Sequence, residues 1–294
     1  MKYSKIIGVL VLGIMLASGF AAGMGVFSEQ GPGPWEHESV RGHTVTIYGQ
    51  GVYKHMSADV AIQGIGQDYV TLFLGIPLLG IAFLMARRGG LRSRLFLSGV
   101  LGYFLVTYLF YLVMGTYSIL FLVYVFLLGS SFFAFSLSLM GFDIEKLPEA
   151  FGPRTPIKLA GGFLIFNTLA IALMWLGVVL PPLLDGSIYP VELQHYTTLI
   201  VQGLDLGLLL PLSFVSGFLL LKKRPLGYLL VPVYLVFLSL LMTALSAKIV
   251  AMGIAGVNII PAVFVIPTVL LITLICTVLM LKAAPPQGAL HAVV

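Results

Sequence analysis

Residues 59–77 read DVAIQGIGQDYVTLFLGIP, so Gln63, Gln67 and Asp68 stand inside an apolar run long enough to cross a bilayer. A carboxylate beside amides can hold a cation, share a proton or hydrogen-bond a polar solute. In hydrocarbon a carboxylate costs about 2.5–3.5 kcal/mol on insertion scales, so it must face an interior or a hydrated cavity. Counting 100° per residue, Asp59, Gln63, Gln67 and Thr71 share one helical face, with Asp68 beside it.

A second group echoes the first. His195, Thr198, Gln202 and Asp205 follow i, i+3, i+7, i+10 spacing, which is again one stripe if the segment is helical. Lys248 enters a later apolar run. It either pairs with Asp68, Asp205 or both, because an unpartnered buried charge is expensive, or extends along its own stem to the interface. Asp68, Asp205, Lys248, Gln63, Gln67, Gln202 and His195 are therefore the candidate substrate- or ion-binding residues, expected to face one another across the interior. Acid–base catalysis by His195, Asp205 and Asp68 is an alternative, and a hydrogen-bonded network that only holds helices together is a third. No catalytic set follows from the spacing.

The elements that would carry these groups follow from composition. Of 294 residues, 59% are hydrophobic and 9% charged, with mean hydropathy +1.07. Soluble domains carry about 25% charged residues, and the apolar runs lack the alternation of a β-barrel. The expected class is an all-α integral membrane protein. Eight runs approach the ~20 residues that a span needs, near 6–26, 60–86, 95–114, 118–140, 158–180, 197–221, 227–251 and 260–281.

The expected division is 1–27, an N-terminal span; 28–59, an extracytoplasmic loop; 60–140, spans two to four; and 141–157, a cytoplasmic connector. Residues 158–282 hold spans five to eight, and 283–294 form a tail. The basic start and small residues of MKYSKIIGVLVLGIMLASGFAAG also fit a cleavable signal, which would leave seven spans. The length of the run favours a retained helix. Within the outer loop, HTVTIYGQGVYKH reads as a short β-hairpin around Gly49-Gln50-Gly51, roofing the polar site.

Orientation follows from charge. Thirteen of sixteen basic residues fall in the loops of one side, among them Arg87, Arg88, Lys222, Lys223 and Arg224. Arg41 and Lys54 are the basic residues of the other side, beside six acids. Lys and Arg concentrate in cytoplasmic loops, so the reading is a multi-pass protein of the cell membrane with both termini cytoplasmic. The net charge of +5 forms no stripe with interleaved aromatics, which argues against nucleic acid.

An internal repeat is also legible. QGIGQD at 63–68 and QGLD at 202–205 each precede a proline, Pro77 or Pro211, and then a basic exit. Residues 1–140 and 141–282 would then be two parallel four-helix halves, whose superposition should bring Asp68 near Asp205 and Pro77 near Pro211.

No cofactor or metal is expected. His37, His43, His55 and His195 match no zinc spacing, Cys276 is the single cysteine, and nucleotide and haem motifs are lacking. The loops are too short for a nucleotide-binding domain. The expected function is a transporter or binding protein for a small solute or ion, not driven by ATP. Its other partner is membrane lipid. A membrane enzyme at the outer face and an accessory subunit are the alternatives, and the oligomeric state is left open. Tyr103, Thr107 and Tyr111, at helical spacing, read as packing.

Overall fold

A computed structural model of the chain describes residues 2–285. Residues 286–294 of the tail fall outside it. Eight helices are long and apolar enough to cross a membrane: α1 Ser4–Phe27, α2 Ala58–Arg87, α3 Leu91–Met114, α4 Phe121–Leu139, α5 Ile157–Asp185, α6 Ile200–Leu221, α7 Pro225–Ile254 and α8 Ala262–Ala283. Each matches an apolar run of the sequence, with ends displaced by a few residues. The largest displacements are at the start of α3, which begins four residues earlier, and the end of α5, which runs five residues further.

The helices pack in two rings. α1 contacts α2 and α4, α2 contacts α3, and α3 packs along α4. In the second ring α5 packs along α6, α6 on α7 and α7 along α8, while α8 returns to α5 through a smaller contact. The rings meet mainly through α7, which lies against both α2 and α3 and is the most buried helix, with smaller contacts of α3 on α6 and α8. α2 and α7 approach closely at Gly66, where a Cβ would stand 3.0 Å from Lys248 Cα. Outward faces stay apolar: Val9, Leu16, Phe166, Leu173 and Phe264 are each more than 65% exposed.

The connections gather at two ends. At one, Arg92 donates to the carbonyls of Lys282 and Ala284, both at 3.0 Å, and Gly152 N–H donates to Ala283 O at 3.4 Å. At the other, the 28–57 and 186–199 segments clasp each other. Arg41 lies over the Tyr189 ring at 5.1 Å, and Tyr196 Oη stands 3.3 Å from Ser57 N and Oγ.

A two-stranded antiparallel sheet lies in the first of these segments, but not where the sequence placed it. β1 Trp35–Glu38 pairs with β2 Thr44–Ile47, turning through residues 39–43. The alternation of Thr44, Val45, Thr46 and Ile47 was legible, and Val45 and Ile47 are the buried pair. Its partner, WEHE, carries no hydrophobic alternation. Gly49-Gln50-Gly51 is not the hairpin tip because Gly51 N–H bonds back to Gln30 O at 2.9 Å. The chain then winds into one tight turn, Gly51–Tyr53.

α2 and α6 share an irregularity. Each contains a widened turn, Thr71–Gly75 in α2 and Asp205–Leu209 in α6, closed by a backbone bond from five residues ahead: Ile76 N–H to Thr71 O and Leu210 N–H to Asp205 O. Pro77 and Pro211 explain both. Proline removes one N–H and its ring crowds the carbonyl four residues back, so the preceding turn opens.

Candidate functional site

Asp68 sits ten residues into α2, about 15 Å from the helix start at 1.5 Å per residue, and is 4% exposed. Its carboxylate is enclosed by hydroxyls. Tyr53, on the tight turn outside the helices, donates to Oδ2, and Tyr111 of α3 donates to Oδ1 at 2.8 Å. The two phenol oxygens stand 3.3 Å apart. Burial, then the Asp68 charge, raises the Tyr53 hydroxyl well above the ordinary tyrosine value, which keeps it a donor at neutral pH. On the remaining side lies α1, where a Cβ on Gly25 would overlap the carboxylate and stand 3.1 Å from Tyr53 Oη. Glycine is the residue that lets α1 close the site.

Gln67 faces a second set of hydroxyls. Its Nε2 donates to Tyr103 Oη at 2.8 Å and to Thr107 Oγ1 at 3.3 Å, while Thr71 Oγ1 stands 2.9 Å from Tyr103 Oη. Gln67 Oε1 is buried without a partner among the described residues. Tyr103, Thr107 and Tyr111, spaced by four on α3, thus form a hydroxyl ladder facing Gln67, Thr71 and Asp68. Tyr124 of α4 backs the ladder, its ring centroid 5.4 Å from that of Tyr111.

The two polar stripes make separate sets of hydrogen bonds among the described residues. Asp205 is half-buried and accepts from Trp175 Nε1 of α5 at 2.8 Å. It lies five residues from the start of α6, about 7–8 Å along the axis, at the first position of the widened turn. α7 is the helix that packs against both α2 and α6. Gln202 is buried and Gln63 half-buried, and neither makes a described side-chain hydrogen bond. His195 and Thr198 precede α6, so the proposed stripe breaks at Ile200.

His195 belongs instead to the clasp between the outer segments. Its ring stands edge-on to His37 at 6.0 Å and 4.4 Å from the Tyr196 ring, and both ring nitrogens are buried without partners among the described residues. Burial, and then the neighbouring His37, hold its pKa below the ordinary 6.5.

Lys248 makes no ion pair with Asp68 or Asp205 within 4.0 Å among the described residues. It is half-buried on α7, and among the described residues the one ion pair within 4.0 Å is Lys146–Asp143. The Lys248 backbone lies against Gly66 of α2, two residues before Asp68.

Tyr53, Tyr111 and Trp175 were not singled out as site residues from the sequence. The four-residue spacing on α3 was the available signal for Tyr111. Tyr53 and Trp175 had none, because their partners lie 15 and 30 residues away in the chain.

The repeat also changes register. Pro77 and Pro211 are separated by 211 − 77 = 134 residues, and the widened turns by 205 − 71 = 134. At that offset Asp205 corresponds to Thr71, and Asp68 to Gln202. The prolines and the aspartates therefore cannot both coincide. Comparison with protein-family models, curated proteins and solved structures found no match to this chain.

Proposed function

We propose that the chain is a multi-pass cell-membrane protein, both termini cytoplasmic, that binds or moves a small solute or ion through the polar interior around Asp68. The observation that carries this reading is the enclosure of Asp68. A buried carboxylate is held by Tyr111 inside the bundle and by Tyr53 on a turn outside it, so displacing one short turn would open the acid to solvent. Widened turns in α2 and α6 support it, since such turns concentrate at functional sites. Two rings that share a helix order support the paired halves expected of transporters. The basic end of the bundle supports the orientation, and the exposed apolar faces of α1, α5 and α8 support contact with lipid.

A second reading, a structural or accessory subunit, is favoured by a different observation. The carboxylate already has a hydroxyl on each oxygen, and Gln67 has two, as in a network that only holds helices together. The enzyme alternative needed His195, Asp205 and Asp68 together, and these occupy three separate settings.

Asp68→Asn, Asp205→Asn and the double variant separate the first two readings. For a binding or transport protein, each variant should keep its folded state in detergent, yet Asp68→Asn should fail to complement a deletion strain. Full complementation by the double variant at unchanged melting temperature would overturn the transport reading.

A further inference from the structure

Beside the turn that carries Tyr53, lined by its neighbours Gly51, Val52, Lys54 and His55, lies a partly open cavity of about 350 Å³. That is at the lower end of the ~300–1,000 Å³ of small-molecule sites. Lys54, His55 and Gln30 supply its polar wall, and Met24, Tyr117 and Ile119 its apolar wall. No carboxylate lines it, although this end of the molecule carries Glu29, Glu36, Glu38, Asp59, Asp185 and Glu192. Lys54 is exposed and makes no ion pair among the described residues. Ser28, also in the wall, is already engaged, accepting from Val52 N–H at 3.0 Å and donating to Met24 O at 2.5 Å. Ser118 accepts from Leu120 N–H at 3.3 Å, which leaves Lys54, His55 and Gln30 as the polar wall side chains with no described hydrogen bond. Tyr117 and Ile119 are each 81% exposed and form an apolar rim.

We propose that this cavity binds a small amphipathic anion, its carboxylate or phosphate head on Lys54 and His55 and its apolar part on Tyr117, Ile119 and Met24. The wall and the lid are the same piece of chain. Gly51, Val52 and Lys54 line the cavity while Tyr53, between them, turns inward and holds Asp68. A ligand that draws Lys54 outward pulls on the turn that caps the carboxylate. The inference rests on the reading of Asp68 as a functional group and names the class of solute that reaches it. The same head chemistry exists on a free solute and on an anionic lipid, and the test distinguishes them.

The test uses the full-length protein in phosphatidylcholine nanodiscs, titrated calorimetrically with hexanoate, hexylammonium, hexanol and inorganic phosphate. Hexanoate should bind saturably at one site per chain, and the other three should not. Lys54→Gln and Ile119→Asn, both at exposed positions, should weaken hexanoate about tenfold or more at unchanged melting temperature. Competition by phosphatidate in the disc would assign the site to a lipid, and its absence to a free solute; either result supports the anion site. Equal binding of hexylammonium or inorganic phosphate, an unaffected Lys54→Gln variant, or no hexanoate binding would overturn it. Asp68→Asn should retain hexanoate binding within about threefold. Complementation by Asp68→Asn would then count against the transport reading alone, and lost affinity in Lys54→Gln speaks for the cavity alone.

Discussion

Tyr111→Phe removes one hydroxyl from the most enclosed acid in the molecule, and its cost can be worked from the contacts. The Tyr111 hydroxyl lies 2.8 Å from Asp68 Oδ1 and 3.1 Å from Gly64 O, and its single proton goes to the carboxylate. Hydrogen bonds to charged groups contribute about 1.5–3 kcal/mol, roughly twice the value between neutral groups. Polar contacts between helices of a membrane bundle average only ~0.6 kcal/mol, with a maximum near 1.7. The burial of Asp68 places this contact at the upper end, so the single variant should lose about 1.5 kcal/mol. In an Asp68→Asn background the same substitution should cost about half as much, which leaves a coupling of roughly 0.7–1 kcal/mol. Tyr124→Phe is the control: its ring packs on Tyr111, but its hydroxyl makes no described bond to Asp68. Its coupling to Asp68→Asn should be near zero. The assay is unfolding by sodium dodecyl sulfate in bicelles for the four members of each cycle. A coupling below about 0.3 kcal/mol for Tyr111, or one equal to that of Tyr124, would refute the charge-assisted contact on which the site is built.

Two further outcomes follow from the outer end and from the charges. Cysteines placed at Gln50, Ser187 and Val257 should react with impermeant reagents on intact cells, while those at Ser93, Glu149 and Arg224 should not; labelling at Ser93 would reverse the orientation. His195 has a depressed folded pKa, so an unfolded or opened segment takes up the proton first as the pH falls. Its contribution to the clasp is complete above about pH 6.5 and is lost as the pH falls through the folded value. Protection of residues 186–199, taken relative to intrinsic exchange at each pH, should therefore fall below that pH, and His195→Leu should remove the step. An identical pH profile in the variant would show that another group controls the segment.

Eight long apolar helices were determined by the sequence itself. Hydropathy over ~20 residues is a local property, and no partner is needed to recognise it. The separation of basic and acidic loops was equally local, as were the interruptions at Pro77 and Pro211, since proline disturbs its own helix whatever surrounds it. That Asp68 must be enclosed also followed from sequence, because a carboxylate in an apolar run has few affordable environments. Which groups enclose it did not follow. Tyr53 reaches Asp68 only because Gly51 bonds back to Gln30 and winds the chain into a tight turn, and α1 closes the site only because Gly25 has no side chain there. That Asp68 and Asp205 bond to different partners did not follow either. Helical spacing aligns residues along one helix and says nothing about which neighbour it meets, and here α7 is packed against both acidic helices. His195 was lost from its stripe because α6 begins at Ile200, after a segment held by contacts with the other outer loop. Periodicity and composition act within one segment and could be read from the chain; the facing of polar groups depends on packing between distant segments, which tertiary structure alone decides.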